Sequence, residues 1–400
     1  MEGVRPADRY SARGDIEPFH VMESMNAAAA HERAGNRVLH LEVGQPSTPA
    51  PLAVRAAAKA ALDDDIIGYT GALGTPELRE RIARWYHERY GIDVDPARVV
   101  VTTGASGSCV LAFLALWDPG QRVGVIEPSY PCYRNDLKAF GIDVVSIPVD
   151  AETDFRPTVE QLDAAGPLDG LILASPSNPT GVILHEEHLT ELLGWASAHA
   201  VHVIVDEIYH GLTFDIEPPT ALAVDDEVVV FNSFSKYFSM TGWRLGWIVA
   251  PPTLIPRLER LAQNLTISAP TLSQRAGIAA FDAREECDEN VARYRRNRNS
   301  MLGSLRLAGF HSIAPAEGAF YLWVDIAHTG FTASELCRRW LEELDIAATP
   351  GIDFDPVRGE RFVRLSIAGS EADIDEAGAR LIGWARDSGL DAPGQEEEPG

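Results

Sequence analysis

The chain has 400 residues, of which 46% are hydrophobic and 23% are charged, and its formal net charge is −25 at pH 7. This length and composition allow a large buried core and predict two domains, one large and one small. The strong negative charge disfavours nucleic acids and anionic membrane surfaces as partners.

The four cysteines are widely spaced and form no CxxC pair. The sequence therefore indicates neither a zinc site nor a disulfide framework, and a reducing cytoplasm fits best. Residues 1–13 mix charges with a proline and have no apolar segment, which argues against a signal peptide. No run approaches the roughly 18 apolar residues that a membrane-spanning helix needs. We expect a cytoplasmic protein without a metal site.

Short apolar runs, rich in β-branched residues, alternate with helical stretches over the first part of the chain. This alternation predicts an α/β fold with a mainly parallel sheet between helices. The predicted strands are 99–101, 122–126, 144–149, 170–174, 201–205, 228–231 and 245–249.

The pattern changes near residue 284, where an arginine-rich helical stretch runs to residue 306 and short strands follow near 320–324 and 362–367. We predict an N-terminal arm that joins the small domain over residues 1–45, a large cofactor-binding domain over 46–285 and a small α+β domain over 286–390. Residues 391–400, rich in Glu, Pro and Gly, predict a disordered tail.

Polar clusters follow several of the predicted strands. Ligands of parallel sheets gather at the carboxyl ends of the strands, so these clusters are expected to form one site. They are 102–106 (TTGAS), 127–130 (EPSY), 175–181 (SPSNPTG) and 206–209 (DEIY).

Lys236 lies among hydroxyls, glycines and an arginine directly after an apolar run, in a chain with three lysines and 31 arginines. Its amine can capture an aldehyde as a Schiff base. Ser233, Ser235 and Arg244 offer two hydroxyls and a cationic fork to a phosphate. Pyridoxal phosphate is the cofactor that needs both groups. The alternative is a lysine on a solvated turn.

Asp206 ends an apolar strand, where a carboxylate is either a helix cap or a functional charge. In the cofactor interpretation, it pairs with the protonated ring nitrogen and keeps the ring an electron sink. Tyr209 and Asn178 can donate hydrogen bonds to the phenolate oxygen of the ring. For Asn178, a plain Asn-Pro-Thr-Gly turn is the alternative.

Tyr130 can stack against the pyridine ring, although an ordinary core aromatic is the alternative. Gly104, Ala105 and Ser106 lie between a strand and an apolar helix. Backbone N–H groups and a hydroxyl there would point at a phosphate, where the helix dipole also favours an anion. Many α/β proteins have such a turn without a ligand, so this signal is weak in isolation.

Arg364 lies in the predicted strand FVRLSI, where alternation turns its side chain away from the face of its two neighbours. An arginine at this position can clamp the α-carboxylate of a substrate with two hydrogen bonds. The alternative is a surface arginine on a half-exposed strand.

Together these segments resemble the pyridoxal-phosphate aminotransferases of fold type I, class I and II, the family of aspartate, alanine and aromatic aminotransferases. The resemblance runs in order from about residue 39 to residue 368. Its motifs are 41–46 (LEVGQP), 69–77 (YTGALGTPE), 178–181 (NPTG), 206–209 (DEIY), the lysine segment 233–246, 317–321 (EGAFY) and the strand of Arg364.

The resemblance implies a large domain with a mainly parallel seven-stranded sheet and a smaller α+β domain that closes on the substrate. It implies that Lys236 forms the Schiff base and then moves the proton between the substrate α-carbon and the cofactor. Gly44 and Arg364 would meet the substrate carboxylate, with Tyr130 and Asn178 beside it. Tyr69 would cross the interface of a homodimer to the cofactor phosphate of the partner.

Two departures from the family pattern bear on the substrate. Some bacterial aspartate-type relatives carry a lysine for a distal carboxylate where this chain has Ser106, so strict aspartate specificity is not expected. Such relatives also often carry a histidine three residues after the stacking aromatic, and Tyr133 occupies that place here.

The first functional prediction is a ping-pong transfer of an amino group from an L-amino acid to a 2-oxo acid such as 2-oxoglutarate or pyruvate. A C–S β-lyase of the same fold is the alternative. Such lyases tend to lack the Gly-x-Arg-x-Gly pattern that Gly242, Arg244 and Gly246 supply. A transcriptional regulator is disfavoured, because the sequence is acidic and only about 38 residues precede the first motif.

Overall fold

A computed structural model describes residues 10–64 and 66–390 of the chain. Its α-helices are α1 (His20–Arg33), α2 (Leu52–Asp64), α3 (Pro76–Tyr90), α4 (Gly104–Leu116), α5 (Pro131–Phe140), α6 (Val159–Ala164), α7 (Glu186–Ala198), α8 (Ile255–Leu265), α9 (Thr271–Ala280), α10 (Arg284–Leu307), α11 (Ala333–Leu344) and α12 (Glu371–Asp387). Its strands are β1 (Leu39–His40), β2 (Val99–Thr102), β3 (Arg122–Glu127), β4 (Asp143–Pro148), β5 (Gly170–Ala174), β6 (His202–Asp206), β7 (Val229–Ser233), β8 (Gly246–Val249), β9 (Tyr321–Asp325), β10 (Ile346–Ala347), β11 (Thr349–Pro350) and β12 (Phe362–Ser366).

Seven strands form one sheet in the order β2-β8-β7-β6-β5-β3-β4. Strands β4, β3, β5, β6 and β7 run parallel to one another, whereas β8 is antiparallel to both β2 and β7. All seven strands predicted from the sequence are present, with ends displaced by at most two residues. The predicted α/β architecture with a mainly parallel seven-stranded sheet is confirmed.

Alternate residues of the central strands enter two separate cores, one on each face of the sheet. In β6, Val203 and Val205 pack in one core and Ile204 packs in the other. Because both faces are covered, these strands are apolar at nearly every position, which explains why they are readable as continuous runs.

Two smaller sheets hold the rest of the structure. Strands β11, β12 and β9 form an antiparallel sheet in which Arg364 pairs with Trp323. Strand β1 pairs in parallel with β10, so the segment before residue 45 joins the C-terminal part of the chain. The predicted domain boundaries stay predictions.

Some of the sequence predictions concern features outside these elements. The predicted tail, residues 391–400, and the first nine residues of the predicted N-terminal arm lie outside the described residues. In the part of the chain that the structure describes, no helix combines the length and apolar character needed to cross a membrane. The cytoplasmic location stays a prediction.

Candidate functional site

A cavity of about 280 Å³ opens at the carboxyl edge of the large sheet. Strands β2, β3, β5, β6 and β7 end there, and the antiparallel β8 begins there, which brings Arg244 to the same edge. Eleven residues predicted from the sequence line the cavity: Gly44, Ala105, Ser106, Tyr130, Asn178, Asp206, Tyr209, Ser235, Lys236, Arg244 and Arg364.

Lys236 follows β7, and its Nζ donates a hydrogen bond to the backbone oxygen of Gly44 at 2.5 Å. Burial and then the positive charge of Arg364 lower the pKa of Lys236 to about 7. Asp206 opposes this effect, and Arg244 adds to it. A substantial fraction of this amine is therefore neutral near pH 7 and can act as a nucleophile or a base.

Asp206, the last residue of β6, is buried, and both of its carboxylate oxygens are engaged. Oδ1 accepts from the N–H of Ile208 at 2.9 Å, and Oδ2 accepts from the hydroxyl of Tyr133 at 2.5 Å. Burial raises the pKa of Asp206, while the bonds from Tyr133 and Ile208 counteract that rise by stabilising the charged form. The carboxylate is thus held in place as a hydrogen-bond acceptor beside the cavity.

Tyr321 is a lining residue that the sequence analysis quoted within a motif without assigning it to the site. Its hydroxyl lies 2.9 Å from the hydroxyl of Tyr209, and burial raises the pKa of both phenols. A Cβ placed on Gly44 would lie 2.2 Å from Oη of Tyr321. The close approach of the Tyr321 ring therefore requires a glycine at position 44.

The end of the cavity between α4 and β8 carries groups that can bind an anion. The N-cap residue of α4, Thr103, makes no side-chain cap, so the first N–H groups of the helix remain available for a ligand. Arg244 is exposed and pairs with no carboxylate among the described residues. A Cβ on Gly104 would lie 2.9 Å from Nη2 of Arg244, so a glycine permits this approach.

Three predicted residues do not line the cavity. Gly104 instead provides the close approach to Arg244. Ser233 is buried behind Ser235, with its Oγ 2.8 Å from the Ser235 hydroxyl and 3.2 Å from the backbone oxygen of Leu245. Ser233 thus contacts Ser235, which lines the cavity, and its direct contact with a phosphate stays a prediction. Tyr69 lies outside the cavity of this chain and is 83% exposed.

Arg364 reaches the cavity from β12 and is only 3% exposed. Nη1 donates to Oδ1 of Asn178 at 3.1 Å, and Nη2 donates to the backbone oxygen of Glu42 at 2.8 Å. The guanidinium lies 4.3 Å from the ring centre of Tyr321 and 4.6 Å from that of Phe354. Within the described residues, no carboxylate pairs with this buried cation. An anionic ligand would supply the missing charge.

The sequence analysis missed the apolar wall of the cavity, which Phe19 and the α1 residues Val21, Met22 and Met25 form. Tyr130, at the start of α5, lies nearby, with its ring centre 6.2 Å from that of Phe19 in an edge-to-face arrangement. The helical spacing of Val21 and Met25 is a signal that could have indicated a common face. The local sequence does not indicate which surface that helix face covers.

The chain matches the family model described as aminotransferase class I and II over residues 36–381. A valine–pyruvate aminotransferase of Mycobacterium tuberculosis is 46% identical over 382 residues, which cover 94% of this chain and 98% of the relative. The crystal structure of an aminotransferase from Mycobacterium tuberculosis has a TM-score of 0.93 at 45% identity and covers 95% of this chain and 100% of that chain. Aspartate aminotransferase from Thermus thermophilus, solved with maleate, has a TM-score of 0.89 at 30% identity, with 94% and 99% covered.

These matches span nearly the whole chain and include the motifs that line the cavity. Members of this family use pyridoxal phosphate as their cofactor. The cavity joins a lysine of lowered pKa, an uncapped helix start and a buried arginine that pairs with no carboxylate among the described residues. The chain belongs to the pyridoxal-phosphate-dependent aminotransferases of class I and II, and it is a transaminase.

Proposed function

We propose that this transaminase moves the amino group of a neutral L-amino acid, with valine the first to test, to a 2-oxo acid such as pyruvate or 2-oxoglutarate. The observation that carries the proposal is the buried Arg364, which lacks a carboxylate partner among the described residues and lines the same cavity as Lys236. The α-carboxylate of a substrate would pair with this arginine, and the α-amino group would then lie toward the lysine. The name of the 46% identical relative supports valine and pyruvate.

The residues present suit pyridoxal phosphate as the cofactor. The uncapped start of α4, the hydroxyl of Ser235 and Arg244 would hold the phosphate. Asp206 would hold the ring nitrogen, and Tyr209 would donate to the ring oxygen. The two glycines of this region leave room, since a Cβ on Gly246 would lie 2.9 Å from the carbonyl carbon of Gly104.

The bound cofactor would supply an aldehyde that exchanges with the amino group and a ring that withdraws electrons from the substrate α-carbon. Nζ of Lys236, with its pKa lowered to about 7, would take the proton from that carbon and return it to the cofactor side. Asp206 would keep a proton on the ring nitrogen, and Arg364 would orient the carboxylate. Donor and acceptor would occupy this cavity in turn, so we propose a ping-pong order.

The preference for a neutral side chain follows from what lines the cavity. The cationic residues of the lining are Lys236, Arg244 and Arg364, and the proposal already employs all three. Ser106 stands where some aspartate-type relatives have a lysine, so a distal carboxylate would meet no further cation of this lining. The wall that Phe19, Val21, Met22 and Met25 form is apolar and suits an aliphatic side chain.

We also propose a homodimer in which Tyr69 reaches the cofactor phosphate of the partner. Tyr69 lies in an exposed apolar patch with Ile66, Ile67, Leu265 and Ile267, of which Ile66 is 96% exposed. The two parts of the patch are joined by a hydrogen bond from the hydroxyl of Thr271 to Gly68 O. Patches of this kind are typical of surfaces that bind another protein chain.

The test is the visible absorption spectrum of the purified holoenzyme, recorded before and after adding L-valine without an oxo acid. We expect the cofactor band to convert to that of the amino form, and pyruvate to restore it. The Lys236→Ala variant is the control and should not turn over. A holoenzyme that releases ammonia from a cysteine conjugate without converting would instead indicate the β-lyase. A protein that binds no cofactor would contradict the proposal.

A further inference from the structure

Helix α1 begins without a side-chain cap of its own. Its N-cap residue, Phe19, cannot accept a hydrogen bond through its side chain, so the first N–H groups of the helix need partners from elsewhere. Asp353 supplies partners for two of them. Its Oδ1 accepts from the N–H of His20 at 2.8 Å, and its Oδ2 accepts from the N–H of Val21 at 2.6 Å. A carboxylate at this position also complements the helix dipole.

Asp353 is itself fixed to the large sheet. It is 2% exposed, and its backbone oxygen accepts from Nη2 of Arg134 at 2.9 Å. Nη1 of Arg134 pairs with Oε1 of Glu127, the last residue of β3, at 3.0 Å, and both side chains are buried. The start of α1 is therefore connected through Asp353 to the edge of the sheet where the cavity opens.

The next residue, Phe354, connects the same loop to the substrate side of the cavity. Its ring lies 4.6 Å from the guanidinium carbon of Arg364 and packs in one apolar cluster with Val21, Met25 and Trp323. Asp353 thus contacts the helix that forms the apolar wall, and the next residue, Phe354, contacts the arginine that we propose to bind the carboxylate. The loop of Asp353 and Phe354 therefore sets the distance between the proposed carboxylate site and the apolar wall.

The side chains of α1 that line the cavity are apolar, whereas its charged neighbours point elsewhere. His20 and Glu23 pair with each other at 2.7 Å and do not line the cavity. Met22 lines the cavity although it is 49% exposed. An exposed apolar residue at a cavity wall gains free energy when a bound side chain covers it.

We propose that Asp353 is a specificity-positioning residue, which holds α1 so that Val21, Met22 and Met25 contact the side chain of a branched aliphatic substrate. This inference rests on the proposed function, because it assigns the wall that distinguishes valine from alanine. Asp353 does not touch the reacting atoms and acts through the helix. Loss of the anchor should therefore weaken the use of long apolar substrates more than that of short ones.

The experiment compares holoenzyme with wild-type sequence, Asp353→Asn and Asp95→Asn. Asp95 is an exposed control for the loss of a capping carboxylate, because its Oδ1 also caps a short helical turn, by accepting from the N–H of Ala97 at 2.8 Å, and it does not line the cavity. We expect Asp353→Asn to lower kcat/KM for valine about tenfold, mainly through KM, and to leave the value for alanine near wild type. Asp95→Asn should change neither.

Hydrogen–deuterium exchange of the same proteins reports on the anchor without turnover. The amides of residues 20–28 should exchange faster in Asp353→Asn than in wild type, and at the wild-type rate in Asp95→Asn. If the wild-type enzyme uses no neutral amino acid but these amides still exchange faster in Asp353→Asn, the proposed substrate is wrong. The role of Asp353 in holding α1 is then supported. Equal losses for valine and alanine with unchanged exchange would overturn the inference.

Met22→Ala tests the wall without touching the anchor and suits the case in which Asp353→Asn fails to fold. Met22 is half-exposed, so its truncation should leave the fold intact. The variant should lower kcat/KM for valine relative to alanine with normal exchange of α1. An unchanged ratio of the two substrates would show that α1 does not set specificity and would contradict the proposal.

Discussion

The hydroxyl of Tyr133 lies 2.5 Å from Oδ2 of Asp206, at the bottom of the cavity. Tyr133 occupies the position at which some relatives carry a histidine, and its effect on Asp206 was open from the sequence. In the structure, the phenol donates to the carboxylate and favours its charged form against the desolvation that raises the pKa of Asp206. Tyr133 therefore favours the charged form of Asp206.

Replacing Tyr133 by Phe should raise the pKa of Asp206 further. A more basic carboxylate would draw the proton from the ring nitrogen of the bound cofactor, and the loss of that positive charge should raise the pH midpoint of the visible absorption change. A hydrogen bond to a charged group contributes about 1.5–3 kcal/mol, so its loss should shift the midpoint measurably. Spectral titration of the holoenzyme measures the midpoint.

Tyr237→Phe is the matched control for that titration. Tyr237 also donates to a carboxylate, Oδ1 of Asp288 at 2.6 Å, and it does not line the cavity. Its replacement should leave the midpoint unchanged. An identical midpoint in Tyr133→Phe and wild type would show that Tyr133 has no influence on the ring.

The lowered pKa of Lys236 predicts the pH dependence of cofactor capture by the apoprotein. Only the neutral amine attacks an aldehyde, and the neutral fraction of Lys236 increases as pH rises through about 7. The capture rate should therefore rise from pH 6 and level off above about pH 8. Stopped-flow absorbance after mixing with pyridoxal phosphate measures this rate.

The Arg364→Met variant tests whether the charge of Arg364 causes this pH dependence of cofactor capture. Removing the positive charge that helps to lower the pKa of Lys236 should move the midpoint of the capture rate to higher pH. A wild-type rate that continues to rise toward pH 10, as for an ordinary lysine, would contradict the prediction.

Arg364→Ala should weaken the binding of amino acids and oxo acids. Loss of a buried, hydrogen-bonded partner of a carboxylate is expected to cost about 2–5 kcal/mol, seen chiefly as a higher KM. Arg364→Lys keeps the charge without the planar fork and should recover only part of the affinity. Steady-state kinetics with valine and pyruvate measure both variants, and wild-type affinity in Arg364→Ala would remove this residue from the site.

Gly44→Ala should destabilise the protein, because the new Cβ would lie 2.2 Å from Oη of Tyr321. Overpacking of this kind costs about 1–3 kcal/mol. Tyr321→Phe removes the contacting oxygen, so the double variant should be more stable than the sum of the single effects implies. Thermal unfolding of the four proteins measures the coupling, and additive losses would show that the two residues do not interact.

The strands and much of the site could be predicted because their signals are local. Val203, Ile204 and Val205 are apolar in sequence since both faces of the sheet are covered, and Asp206 ends that run. The role of Ser233 was harder to read, because sequence proximity to Lys236 does not reveal which hydroxyl faces the cavity. The structure places Ser235 there and Ser233 behind it.

The sequence by itself determined the α/β architecture and the chemical types gathered at the carboxyl edge of the sheet, because apolar periodicity and strand ends are local properties of the chain. Only the tertiary structure decided which distant groups meet. Asp353 caps a helix that begins 333 residues earlier in the chain, and Arg364 lies beside Lys236 without a carboxylate partner among the described residues. Such contacts depend on how separate elements pack, and no local pattern specifies them.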